Sequence, residues 1–226
     1  MNDKHALSAR VKAAFEGCYD GTRAAALAGV PVSTVYLWAR SGIVEPSVSP
    51  TRIKLWSYAD LMALRIVYWL RHPKKGRDSE VAASPMPRVR AALAELERRG
   101  LDIWDDRGGR PDSPLRVDSS ATIFILDDDV SRVDGQRHLG SMLDLLGPFE
   151  CDGQRGPDLV RPRPHLRIIP GRVSGEPHLA GSRITTQVAA ALHRNIKDVK
   201  KIAALYPGFD ASIFEEAIEF EYSLAA

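Results

Sequence analysis

Ala25, Gly29 and Val35 stand four and six residues apart inside Gly21–Arg40, GTRAAALAGVPVSTVYLWAR. This spacing restricts the local geometry more than any other in the chain. A small residue at Ala25 lets a second helix cross at close range. Gly29 supplies a left-handed turn without a steric penalty. Val35 points from the second helix back into the shared core, with Leu27, Val30 and Trp38 as further apolar contacts. The stretch reads as a helix-turn-helix. Ser33 suits the N-cap of the second helix. That leaves Thr34, Tyr36, Leu37 and Arg40 free to face a DNA major groove. The same pattern also fits a helical hairpin buried in another all-α domain.

The charge distribution favours the first alternative. Residues 1–77 hold twelve Lys and Arg against five Asp and Glu. Residues 78–177 hold fourteen against eighteen, and residues 178–226 five against six. The basic excess lies on the segment that would meet phosphate. At 226 residues the chain has room for one or two domains. Its hydrophobic content of 44% and charged content of 27% are ordinary for a soluble globular protein. No run has the apolar length of a membrane helix, and the N-terminus lacks a signal-peptide core. Two cysteines, Cys18 and Cys151, form no disulfide framework, so a cytoplasmic setting is expected.

The elements follow in order. His5–Glu16 is expected as an amphipathic helix with Leu7, Val11, Ala14 and Phe15 on one side. Thr22 is expected to cap the next helix. Val48–Trp56 reads as a short hairpin with Pro50 and Thr51 at its tip, and Arg52 and Lys54 reaching toward phosphate. Ser57 caps a helix over Tyr58–His72. His72–Pro87 is a loop with a basic run at Lys74, Lys75 and Arg77, which either is solvated or meets phosphate. Arg88–Arg99 is a helix ended by Gly100, and Leu101–Trp104 a short strand. Ala121–Leu126 is a strand with Val130–Gln136 as its return. Between them Asp127–Asp129 reads as a turn with exposed acids rather than a metal site. Met142–Phe149 closes the middle region. His165–Ile169 is expected as a strand. Three helices end the chain at Thr185–His193, Ile196–Leu205 and Ala211–Tyr222, the last two capped by Asn195 and Asp210.

The run LAGVPVSTVYLWARSGIVEPS, followed by IKLWSYADLMAL, resembles the DNA-binding domain of MerR-type regulators. Leu55, Trp56, Ser57, Asp60, Leu61 and Leu64 carry the second part of the likeness. The arginine and two tyrosines usual in that recognition helix are replaced by Tyr36, Leu37 and Trp38. Pro170, Gly175, Pro177, Gly181, Arg183, Ile184, Val188, Tyr206 and Pro207 resemble a bacterial domain family catalogued as of unknown function. Its genes commonly adjoin those of PIN-like ribonuclease toxins. The whole arrangement resembles the long-form antitoxin of a mycobacterial VapBC-type pair.

The expected fold is mainly α with small β elements, an α+β chain in three parts. Residues 1–77 form a MerR-like winged helix-turn-helix. Residues 78–158 form an α+β connector with a β-hairpin and a candidate dimerisation region. Residues 159–226 form a three-helix, helix-turn-helix-like bundle. The resemblance implies an antitoxin that binds a PIN-like ribonuclease toxin and autoregulates at operator DNA. The alternative is a stand-alone MerR-like regulator. A homodimer is expected, since two half-sites need two copies. DNA contacts are expected from Ser33, Thr34, Tyr36, Arg40, Arg52 and Lys54. A second DNA-binding set is Arg194, Lys197, Lys200 and Lys201. Toxin-contact candidates are Arg161, Arg163, Arg167, Phe214, Glu215, Ile218, Glu219 and Tyr222. Glu176, His178 and His193 make an active site only on paper. No phosphate-binding glycine loop or zinc-spaced histidine pair is present, so neither catalysis nor a cofactor or metal is expected.

Overall fold

Asp20 and Gly29 set the limits of the helix on which the N-terminal half is built. In the computed structural model, which describes residues 2–75, 80–106, 111–118, 120–126 and 143–225, α1 spans Asn2–Glu16 and α2 spans Gly21–Ala28. Asp20, and not Thr22, is the N-cap of α2, accepting from the Arg23 amide at 2.8 Å. Gly29 ends it in the left-handed region at φ 70°. Pro31 then starts α3, Val32–Arg40, so Ser33 falls inside the first turn and is not the cap. Ala24, Ala25, Leu27 and Ala28 of α2 bury against Val35, Trp38 and Ala39 of α3. Helix α4, Tyr58–Arg71, begins in a capping box made by Ser57 and Asp60. Eleven of its fourteen residues are buried, which makes it the central helix. Four more helices follow: α5 (Met86–Arg99), α6 (Thr186–Ile196), α7 (Val199–Ala204) and α8 (Ala211–Ala225).

The strands are short and paired antiparallel in twos. β1 (Lys74–Lys75) pairs with β2 (Glu80–Val81), and β3 (Asp105–Asp106) with β4 (Pro111–Asp112). β5 (Leu115–Val117) pairs with β6 (Ile123–Ile125), and β7 (Phe149–Cys151) with β8 (Gln154–Gly156). β9 (Leu166–Arg167) pairs with β10 (His178–Leu179). The chain is therefore mainly helical with small antiparallel β elements, as expected for the α+β class. One buried apolar cluster runs from Tyr19 through α2–α4 to Phe220.

Two of the contacts that join the N-terminal half to later segments lie at the end of α2 and the turn after it. The Arg65 guanidinium, on α4, donates to five carbonyls: Leu27, Ala28, Leu145, Gly147 and Pro157. All five of its N–H groups are used, with no carboxylate partner. Burial lowers its pKa to about 10. Gly29 meets Gly156 backbone to backbone: a Cβ on Gly29 would lie 2.5 Å from the Gly156 nitrogen, and one on Gly156 2.9 Å from the Gly29 nitrogen.

Several local expectations are corrected. Leu101–Trp104 is not a strand; the pairing begins at Asp105. β6 pairs with the preceding β5, while Val130–Gln136, Asp127–Asp129 and Met142 lie outside the described residues. Val48–Trp56 folds back on itself through one antiparallel bridge, Ser49 to Leu55, with reciprocal backbone bonds, while Trp56 bridges to Tyr19. Only Leu166–Arg167 of His165–Ile169 is a strand. Asn195 lies inside α6, and Asp198 caps α7, because α6 continues until Lys197 turns left-handed at φ 56°. Lys74 is neither solvated nor free for phosphate: its ammonium donates to the Trp69 carbonyl at 2.8 Å and lies 4.3 Å from that indole's centroid. Burial pulls its pKa down to about 8. Leu7, Val11 and Phe15 of α1 face outward.

Gly156 lacks a left-handed φ, so Gly156→Ala isolates the steric part of the glycine contact. It should destabilise the chain by about 1–3 kcal/mol, read by urea unfolding; unchanged stability would show that the two backbones do not touch.

Candidate nucleic-acid interface

Helix α3 presents one face outward and buries the other. Val35, Trp38 and Ala39 are buried, while Ser33, Leu37 and Arg40 are exposed and share the opposite face one turn apart. Val32 is 40% exposed at the start of the helix. Thr34 is half-buried at the edge of the packed side. Tyr36 is also half-buried. Its ring occupies the space a side chain at Gly21 would take, and it stands edge-on to Trp56 at 5.5 Å. Tyr36 is thus partly committed to packing.

In the loop after α3, Arg52 is exposed and Ile53 is 70% exposed. Lys54 is half-buried, its ammonium donating to the Pro50 carbonyl at 2.7 Å. That bond shapes the loop and competes with any outside anion. Ser47 donates through both its amide and its hydroxyl to Asp60, which ties the loop's start to the first turn of α4. Burial raises the Asp60 pKa, opposed by the four hydrogen bonds from Ser47 and Ser57.

One cation was missed. Arg90 of α5 is exposed and reaches the Ser41 carbonyl at 3.4 Å, which places a charge at the C-terminal end of α3. No local signal links two positions 49 residues apart.

The base of this surface is pinned from behind. Arg23 of α2 is 8% exposed and bonds both Glu176 and Glu221 at 2.8 Å. Thr186 donates to Glu221 as well. Burial raises the Glu176 pKa, and the Arg23 charge opposes the rise. Tyr19 donates to the Gly175 carbonyl at 2.8 Å beside this cluster.

The remaining candidates separate into accessible and buried groups. Arg194, Lys197, Lys200 and Lys201 are all exposed around the α6–α7 joint, with Lys201 3.9 Å from Asp198. Arg161 and Arg163 are exposed. Arg167 is half-buried and donates to the Pro164 and Leu166 carbonyls. Glu215, Glu219 and Tyr222 are exposed. Phe214 and Ile218 are corrected: at 0% and 4% exposure they belong to the core beneath α8 and offer no contact surface. Glu176, His178 and His193 each have partners. Glu176 holds Arg23, His178 Nδ1 meets the Glu176 carbonyl, and His193 meets the Tyr222 hydroxyl. Among the described residues no three metal-ligating side chains cluster, and no helix is long and apolar enough to cross a membrane.

Comparison with known proteins gives no match to a family model, a curated protein or a solved structure.

Arg23→Met would leave Glu176 and Glu221 buried without a cation. It should cost about 3–5 kcal/mol at neutral pH. The deficit should shrink as pH falls, because Glu176, whose folded pKa burial holds above the unfolded value, takes up a proton in favour of the folded state. Urea unfolding at neutral and acidic pH measures both effects.

Proposed function

We propose that this chain is a DNA-binding antitoxin. It would dock the outer face of α3 and the adjoining loop on operator DNA, and bind and neutralise a PIN-like ribonuclease toxin. The observation that supports DNA binding best is the outer face of α3, where Ser33, Leu37 and Arg40 are exposed together over a buried opposite face. On this reading α2 and α3 form a helix-turn-helix with Gly29 as its turn, and residues 48–56 form the wing. Arg40, Arg52 and Arg90 supply phosphate contacts, which position the protein, while the α3 side chains meet base edges. The homodimer follows from the need to fill two half-sites.

The antitoxin part rests on the C-terminal resemblance. Gly175 and Gly181, two of its matching positions, occupy left-handed turns at φ 72° and 78° that a side chain would strain. Arg161 and Arg163 are exposed cations suited to the acidic metal site of a PIN-like nuclease, and Glu215, Glu219 and Tyr222 are a second accessible contact set. The exposed cations of the α6–α7 joint form the candidate second DNA surface. A stand-alone MerR-like regulator is the other reading. The bond from Glu221 on α8 to Arg23 on α2 favours it, since it couples the C-terminal half directly to the DNA-facing helices whatever the partner is.

Co-expression with the tagged product of the adjacent small reading frame distinguishes the two. Co-elution with loss of ribonuclease activity supports the antitoxin. A neighbour without binding or toxicity leaves the regulator reading. For DNA, Arg40→Ala should weaken binding at every salt concentration and lower the slope of log K against log salt by about one. An unchanged slope would remove Arg40 from the interface.

A further inference from the structure

Leu37 is 54% exposed at the middle of the outer face of α3, between Ser33 one turn before it and Arg40 one turn after. An aliphatic side chain there leaves more than half of its surface in water. Val35, Trp38 and Ala39 already anchor the helix from its opposite face. The flanking arginine and serine suit a polyanion with hydrogen-bonding edges, and a greasy protein surface would leave both unmatched.

The major groove offers one apolar feature to such a residue. G·C pairs and adenine show only donors and acceptors, whereas thymine carries a C5 methyl group. Resting on the DNA-binding reading above, we propose that Leu37 reads thymine methyl groups, so that the preferred site of this chain carries thymine in the major groove facing the middle of α3. Ser33 and Arg40 stand on either side to bond an adjoining base edge or phosphate. Ile53, 70% exposed in the loop beside Arg52, lies off this helix and serves as the control residue.

The test begins with a randomised duplex pool enriched on the full-length chain. The best duplex is then made twice, once with thymine and once with deoxyuridine throughout. Deoxyuridine lacks the methyl group and keeps the pairing edge and the O4 acceptor. Wild-type protein should bind the deoxyuridine duplex more weakly, by about fourfold for each methyl group buried. Leu37→Ala should bind both duplexes alike, and Ile53→Ala should keep the wild-type difference. Leu37→Asn should enrich a pool depleted in thymine at that position. Because Leu37 is largely solvated, both variants should unfold at the wild-type denaturant midpoint.

Equal binding of both duplexes by the wild type overturns the methyl reading and leaves DNA binding intact. A thymine preference that survives in Leu37→Ala assigns the contact to another residue and overturns the proposal for Leu37. Failure to enrich any duplex overturns the DNA-binding reading and this inference with it. Loss of self-association in Leu37→Ala, together with equal binding of the two duplexes by the wild type, would assign the leucine to a contact between copies instead.

Discussion

A single guanidinium, on Arg65, holds together segments that share no secondary structure. It enters the core from the central helix α4 and collects carbonyls from the end of α2 and from residues 145, 147 and 157. Helix ends leave carbonyls without partners and carry a partial negative charge. Leu27 and Ala28 belong to that class, and Arg65 satisfies both. The rest of the N-terminal architecture depends on this bond set. Gly29 ends α2, and Arg65 ties that end to the segment around residues 145–157. Phe149 lies 5.4 Å from the same guanidinium, which gives the cation an aromatic face as well.

The outer surface follows from this internal anchoring. α2 is gripped at its end by Arg65, at its turn by Gly156 and along its length by the carboxylates that hold Arg23. Helix α3 hangs from it by a three-residue connection and packs only one face inward. Its outer face is therefore free of structural duty at Ser33, Leu37 and Arg40, though not at Tyr36. A rigid base beneath an outward face lowers the ordering cost of any contact made there.

The parts legible in the sequence were those decided within a few residues. The Ala25–Gly29–Val35 spacing, the Ser57 cap and the Gly100 stop are local, and each stands in the structure where the residues put it. Partners brought from a distance were not legible. A β-run at Ile123–Ile125 announces a strand without saying that Leu115–Val117 is its mate. Glutamates on α8 look solvated, yet Glu221 is spent on Arg23 and Glu216 on His165. One feature had a usable signal. Asp152–Gly153 joins β7 to β8 with both residues at positive φ, the two-residue hairpin turn that an Asp-Gly pair marks. Arg65 offered a subtler sign, a cation inside the apolar run of a helix that buries nearly all round. On the candidate surface, Arg40 and Arg52 were readable as exposed cations. Arg90 was not, because only the folded chain brings α5 to the end of α3.

The buried cluster at Arg23 also has a temporal meaning. Its two carboxylates lie 153 and 198 residues downstream. At roughly 5–20 residues per second of translation, Arg23 waits on the order of tens of seconds for Glu221 to be made. Before Glu221 is made, Glu176 is the one of these two carboxylates that Arg23 can meet. A product that stops short of α8 keeps the Glu176 half of the cluster and lacks the Glu221 half. The cluster that holds α2 is therefore complete only once α8 has been made, and its last bond joins residues 198 positions apart.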